Sequence, residues 1–119
     1  MLYNQQALRT ILPSLRLLLD PMLPKRCAVG DALPITGTLE TEDLPAGGAV
    51  RIEVNSEYLD LLSPDTISIP PGRCALRIEW SVGAIASTRN LPGGETVVAV
   101  NASANGLAQT AEHYLSIVD

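Results

Sequence analysis

The sequence predicts an all-β protein, an antiparallel β-sandwich of about seven strands. Turn-forming Gly, Pro and Asn residues recur at short intervals, and the segments between them alternate apolar and polar residues. A period of two residues is typical of strands, because successive side chains point to opposite faces of a sheet. No helical pattern separates these segments, so a parallel α/β fold with crossover helices is excluded.

The first predicted strands share an apolar face that alternates with polar residues. In chain order, their inward-facing residues are Leu15, Leu17 and Leu19; then Leu33, Ile35, Gly37 and Leu39; then Val50, Ile52 and Val54. Residues 58–62 and 66–69 form shorter and less regular segments. The clearest strand covers residues 74–82, where Cys74, Leu76, Ile78, Trp80 and Val82 alternate with mostly polar residues. This pattern indicates a half-buried antiparallel strand.

The chain is predicted to end in a β-hairpin. Val98, Val100, Ala102 and Ala104 share one face before Asn105-Gly106, and Ala111, His113, Leu115 and Ile117 share one face after it. Asn-Gly suits a type I′ turn because both residues tolerate a positive φ. The core residues predicted from all segments are Ile35, Leu39, Val50, Ile52, Val54, Leu76, Ile78, Trp80, Val98, Val100, Leu115 and Ile117. Since the chain lacks Phe, Trp80 is expected to fill the space between the sheets.

Composition limits the classes of function. The 119 residues are 46% apolar and 18% charged, which fits one domain with its own core. A net charge of −5 with a single lysine argues against nucleic-acid binding, which needs a concentrated basic face. No apolar run is long enough to span a membrane. The N-terminus lacks a basic region before its apolar residues, so we expect an untargeted product of a reducing cytosol.

Residues 1–13 interrupt the strand pattern, so we divide the chain into an N-terminal arm, residues 1–13, and a sandwich, residues 14–119. Ala7, Leu8, Ile11 and Leu12 fall near helical spacing, and Pro13 is expected to end such a helix. About ten residues are too few for a helix that is stable by itself in water. Two interpretations stay open: a frayed leader, and an arm that orders against the sandwich or a neighbouring subunit.

The order of segments and turns resembles bacterial immunoglobulin-like domains of the invasin and intimin type. The matching stretches are GDALPITGTL (30–39), PAGGAVRIEV (45–54), IPPGRCALRIEWSV (69–82) and residues 96–117. This resemblance implies an immunoglobulin-like fold. Domains of that family usually occur as tandem repeats in large secreted chains, whereas this chain carries one. A solitary sandwich of this size is similar to the capsid decoration (cement) proteins of tailed phages, which bind the outside of an assembled shell.

Residues that carry chemistry elsewhere have structural interpretations here. His113 is the only histidine, and one imidazole without partners supports neither a triad nor a zinc site. Cys27 and Cys74 are expected at opposite ends of one sheet, about 20 Å apart, so we predict free thiols. Glu40, Glu42 and Asp43 are expected in a solvated loop rather than a calcium site. The glycosylation pattern at residues 101–103 falls within a predicted strand and is discounted. We expect no catalytic residue, cofactor or metal.

The similarity to capsid decoration proteins implies a non-enzymatic structural protein that decorates a viral capsid. Its expected partners are the major capsid protein or other virion subunits, and it is expected to be a homo-oligomer such as a trimer. It would be assembled in the host cytoplasm and located on the capsid surface of the virion. The candidate contact residues are Leu2, Tyr3, Leu8, Ile11, Asn90 and Leu91. The alternative is an adhesion module of a tail, fibre or cell surface that recognises a receptor or carbohydrate; an enzyme ranks third.

Overall fold

The structure is a computed structural model that describes residues 13–119, and it is built almost entirely from strands. The strands are β1 (Ser14–Leu19), β2 (Arg26–Ala28), β3 (Ala32–Leu44), β4 (Gly48–Val54), β5 (Leu59–Leu61), β6 (Thr66–Ile69), β7 (Gly72–Ala84), β8 (Thr96–Ala104) and β9 (Leu107–Val118). A 3-10 turn at Pro92–Gly94 precedes β8. The predicted all-β sandwich is confirmed. The predicted arm, apart from Pro13, lies outside the described residues.

Two sheets form the layers of the sandwich. The first has the order β1-β3-β7-β5, and the second has the order β2-β9-β8-β4-β6. Residues 20–25 carry the chain from β1, at the edge of the first sheet, to β2, at the edge of the second. Because β2 continues in the direction of β1, it lies parallel to β9. This three-residue parallel pair departs from the purely antiparallel prediction.

The core lies between the sheets and is aliphatic around one indole. Trp80 is 1% exposed, and its Nε1–H donates to the carbonyl of Asp65 at 3.1 Å. Ten of the twelve predicted core residues are buried. Val54 and Leu76 are half-buried and pack against the core from its margin. In β7 the buried residues Ile78, Trp80, Val82 and Ala84 follow the predicted period of two.

The predicted type I′ hairpin joins β8 to β9. Asn105 has a φ of 53° and Gly106 a φ of 81°, so both central residues adopt the left-handed conformation that this turn requires. The pairing of Ala104 with Leu107 closes the turn. Asn105 and Gly106 thereby set the register of the whole hairpin.

Pro34 lies inside β3 without disturbing its pairing with β7. β1 covers β3 only as far as Gly37, and beyond it the N–H of Asp20 donates to the carbonyl of Thr36 at 3.0 Å. Position 34 is two residues from Thr36, so its backbone faces the same open side of the sheet. Proline has no N–H to offer there, which suits an exposed edge.

Two local predictions are wrong. Cys27 lies in β2 of the second sheet and Cys74 in β7 of the first, not at opposite ends of one sheet, because the chain changes sheets before β3 begins. Both are nevertheless free thiols, as predicted. The acidic residues Glu40, Glu42 and Asp43 lie in β3 and not in a loop. An irregularity in the pairing between Thr41 and Leu44 accommodates Asp43, whose φ is 53°.

Within residues 13–119, no group of three or more His, Cys, Asp or Glu side chains is arranged to hold a metal ion. No helix in this described part of the chain is long and apolar enough to cross a membrane.

Candidate functional site

The outer face of the first sheet has a mostly charged half, which also carries the 49% exposed Leu18, and an apolar half. The charged half lies where β7 begins and β3 ends, and it contains Arg16, Glu40, Glu42, Arg73, Arg77 and Glu79, all exposed. Arg73 approaches Glu42 at 3.5 Å. Arg77 donates from Nη1 to Oδ1 of Asp20 at 2.9 Å and from Nη2 to Oδ2 of the same carboxylate. The Arg73–Glu42 pair is exposed on both sides and contributes little to stability, whereas the side chain of Asp20 is partly buried.

The apolar half lies where β7 ends, and we call it the apolar patch. Its residues are Ala32, Pro34, Leu62, Gly83 and Ile85. Pairing places Ala32 beside Gly83, and the N–H of Leu62 donates to the carbonyl of Ser81, the partner of Pro34, at 2.8 Å. A Cβ on Gly83 would lie 3.4 Å from Cδ1 of Leu62, so the leucine covers the glycine.

The patch brings two exposed large aliphatic side chains onto one surface. Leu62 is 53% exposed and Ile85 is 49% exposed. Ile85 continues β7 beyond its last residue, and its N–H donates to the carbonyl of Tyr58 at 2.9 Å. Leu62 and Ile85 lie beside small residues. Together they form an apolar surface that a binding partner could shield from water.

Acidic residues lie beside the apolar patch, in β5 and in the loops near the end of β7. Asp60 pairs with Gly83 in the register of β5 and β7, and its exposed side chain lies on the same outer face. Asp31 adjoins the end of β7, since its carbonyl accepts from the N–H of Ala84 at 2.9 Å. Glu57 is exposed in the preceding loop. The patch therefore has an acidic rim.

The loop of residues 85–95 lies at the same end of the sandwich and is anchored by Thr88. This threonine is 1% exposed. Its hydroxyl donates to the carbonyl of Gly94 at 2.7 Å and accepts from the N–H of Ile117 at 2.9 Å. The anchor holds the loop against β9 and fixes the position of two predicted contact residues. Asn90 is exposed and Leu91 is half-buried.

The candidate contact residues are not brought together. Leu2, Tyr3, Leu8 and Ile11 lie outside the described residues, and the chain enters the sandwich at Ser14, which pairs with Glu42. Asn90 lies at the other end, beyond the residues that pair with Ala32. At about 3.3 Å per residue, positions 42 and 32 of β3 are about 33 Å apart. The two predicted contact regions are thus attached at opposite ends of the sandwich.

Among the described residues, His113, Trp80 and Tyr58 have structural positions. His113 is half-buried, and its Nε2 lies 2.6 Å from the carbonyl oxygen of Pro24, which joins β9 to the segment that crosses between the sheets. Trp80 is buried and Tyr58 is half-buried, whereas Tyr114 is 53% exposed.

Sequence reasoning missed the apolar patch. Ile85 has the opposite parity to Val82 and Ala84, the inward residues of β7, and Leu62 has the opposite parity to Leu59 in β5. Each of these apolar residues lies on the polar side of its alternating strand, and this could have been recognised in the sequence. Leu62 and Ile85 are 23 residues apart in the sequence, so only the pairing of β5 with β7 shows that they form one surface.

Comparisons with known proteins identify the fold. No family model matches the chain, and no curated protein matches it. The part of Escherichia coli alpha-2-macroglobulin from domain MG7 to the C-terminus is similar, with a TM-score of 0.58 and 17% identity. That match covers 87% of this chain but 16% of the other, so this chain spans a small fraction of the neighbour's length.

Two further neighbours match over nearly their whole length. A FixG-related protein from Vibrio parahaemolyticus has a TM-score of 0.52 and 17% identity, with 88% of this chain and 95% of that chain covered. A cohesin module from a Clostridium perfringens glycoside hydrolase has a TM-score of 0.54 and 12% identity, with 92% and 98% covered. At these identities the likeness establishes the fold and not the activity. The chain therefore has an immunoglobulin-like β-sandwich fold, as its sequence predicts.

Proposed function

We propose that this protein is a non-enzymatic structural component of a virion, which binds the outer surface of an assembled capsid and stabilises it. The observation that supports the proposal is that the two predicted contact regions are attached at opposite ends of one sandwich. Residues 1–12 join the sandwich at Ser14, and the loop with Asn90 and Leu91 lies about 33 Å away along β3. One copy would therefore contact two different neighbours.

Stabilisation would arise from many modest contacts made at once. A shell subunit that moves outward during expansion would have to break a contact at one end of each bound copy. While the other end stays bound, the broken contact re-forms at a high effective concentration. The proposed partners are the major capsid protein or other virion subunits, and the proposed location is the capsid surface.

The anchored loop favours binding at the β7–β8 end. Because Thr88 already holds residues 85–95 against β9 through two hydroxyl hydrogen bonds, little conformational entropy remains to be lost on docking. Asn90 would supply polar contacts and Leu91 part of an apolar one.

The test is co-sedimentation with capsids assembled from the major capsid protein of the genome that encodes this chain. The variants are a deletion of residues 1–12 and the loop variant Leu91→Glu. We expect both to lower the bound fraction and the temperature at which the particles rupture. The control is Met22→Glu, at an 89% exposed position in the segment between β1 and β2, which should bind like the parent protein. Undiminished binding by both variants contradicts the proposal.

The alternative, an adhesion module that recognises a receptor or carbohydrate, predicts a different result. Carbohydrate platforms commonly use exposed aromatic rings, and among the described aromatic residues Tyr114 is the most exposed. Binding to a glycan array that Tyr114→Ala abolishes, together with no binding to capsids, would favour this alternative.

A further inference from the structure

We propose that the apolar patch is the docking site for residues 1–12 of a second copy of this chain, so that copies associate head to tail. The inference deepens the proposed function, and rests on it, by assigning a partner to one of the two contact regions. The N-terminal residues would hold neighbouring copies together, while residues 86–95 of the loop would remain free to bind the shell.

Distance favours a second copy over the same copy. The patch lies around Ala32 and Gly83, whereas Ser14, the first residue of β1, pairs with Glu42. About 33 Å separates these positions along β3. Even fully extended at about 3.5 Å per residue, the chain could carry Ile11 only about 10 Å and Leu8 only about 21 Å from Ser14. These two residues therefore cannot reach the patch of their own copy.

Chemical complementarity supports the same occupant. Leu2, Tyr3, Leu8 and Ile11 supply apolar side chains that the exposed Leu62 and Ile85 could shield from water. All 13 acidic residues lie after position 12, and Arg9 is the one charged residue before it. The acidic rim of Asp31, Glu57 and Asp60 would therefore attract this segment, whereas it would repel a second copy of the patch itself.

The sheet edge near the patch favours docking on the face rather than added strand pairing. Pro34 lies on the part of β3 that β1 leaves open, and it lacks the N–H that an added strand would need. The contact would then join two different surfaces, which is a heterologous arrangement. Repeated contacts of this kind close into a ring, such as a trimer, or continue as a filament.

The test uses full-length variants and light scattering coupled to size-exclusion chromatography. The arm variant carries Leu8→Glu and Ile11→Glu, and the patch variant carries Leu62→Glu and Ile85→Glu. The control carries Met22→Glu and Tyr114→Glu, which adds the same charge at exposed apolar positions outside the patch. Circular dichroism checks that each variant is folded. We expect the parent and control to form oligomers and each test variant to be a monomer.

Mixing the two monomeric variants gives the sharper result. Each retains the half that the other has lost, so a head-to-tail contact predicts a 1:1 heterodimer that cannot grow further. A monomeric parent protein, or a mixture that stays monomeric while the parent assembles, overturns the inference. Co-sedimentation with capsids separates this outcome from the proposed function: a parent that is monomeric in solution but binds capsids overturns self-association alone. A parent that assembles but does not bind capsids overturns the decoration role alone.

Discussion

Asn105 pairs through its side-chain amide with both backbone groups of Ala46. Its Oδ1 accepts from the N–H of Ala46 at 3.1 Å, and its Nδ2 donates to the carbonyl of Ala46 at 2.7 Å. The two residues are 59 positions apart in sequence. The pair therefore ties the β8–β9 turn to the connection between β3 and β4, at the end of the sandwich where residues 1–12 join it.

Replacement of Asn105 by Gly should lower the free energy of unfolding by about 1 kcal/mol. Glycine accepts the positive φ of this position, so the loss reports the two hydrogen bonds and not backbone strain. Urea denaturation measures the change. Ser103→Gly, at an exposed β8 position close by, is a control for the flexibility that glycine adds. An equal loss in both variants would show that the amide pair contributes nothing.

Replacement of Trp80 by Ala should destabilise the fold by about 3–5 kcal/mol, because it leaves a cavity between the sheets. Trp80→Phe retains much of the volume but removes the donor to the carbonyl of Asp65, so a smaller loss is expected. Met22→Ala, at an 89% exposed position outside the patch, is the control. Denaturant titrations rank the three variants, and an unchanged midpoint for Trp80→Ala would contradict the inward placement.

Replacement of Thr88 by Val should cost about 1–3 kcal/mol, since the N–H of Ile117 and the carbonyl of Gly94 lose the buried hydroxyl between them. Valine retains the shape, and Thr88→Ser retains the hydroxyl and serves as the control. Hydrogen exchange should show faster exchange in residues 85–95 of the valine variant only. Slow exchange in that variant would mean that packing, not the hydroxyl, holds the loop.

Asp20 should make stability depend on pH. Hydrogen bonds from Arg77 and then Thr36 hold the pKa of this carboxyl below its ordinary value of 3.8. A group whose pKa is lower in the folded state stabilises the fold above its unfolded pKa, and this contribution is lost as the pH falls through the folded value.

The expected result for Asp20→Asn is a lower free energy of unfolding near neutral pH and a difference from the parent that shrinks as the pH falls below 3.8. Denaturation at a series of pH values measures this difference. Glu53→Gln, on the exposed side of β4, is the control. A difference that stays constant across the series would show that the ionised form of Asp20 is not what stabilises the fold.

Local patterns predicted the longer strands well. The alternation at residues 74–82 identified β7 and its inward residues, and Asn105-Gly106 identified the β8–β9 turn, because both signals depend only on neighbouring residues. The partial burial of Val54 and Leu76 could not be predicted in the same way. The alternation of apolar and polar residues indicates which face of the sheet a side chain is on. It does not indicate how far the opposite sheet extends to cover that side chain.

The short strands and the apolar patch could not be predicted from local patterns, because they form between residues far apart in the chain. β2 and β5 have three residues each, too few for a period to be recognised, and the pairing of Cys27 with Ile117 placed this cysteine in the second sheet. The amino-acid sequence by itself determined the fold class, the faces of the long strands and the final hairpin. The tertiary structure alone decided the change of sheet between β1 and β2, the joining of Leu62 and Ile85 into one patch, and the separation of Ser14 from Asn90. These features arise from pairing between residues far apart in the chain, which local periodicity does not encode.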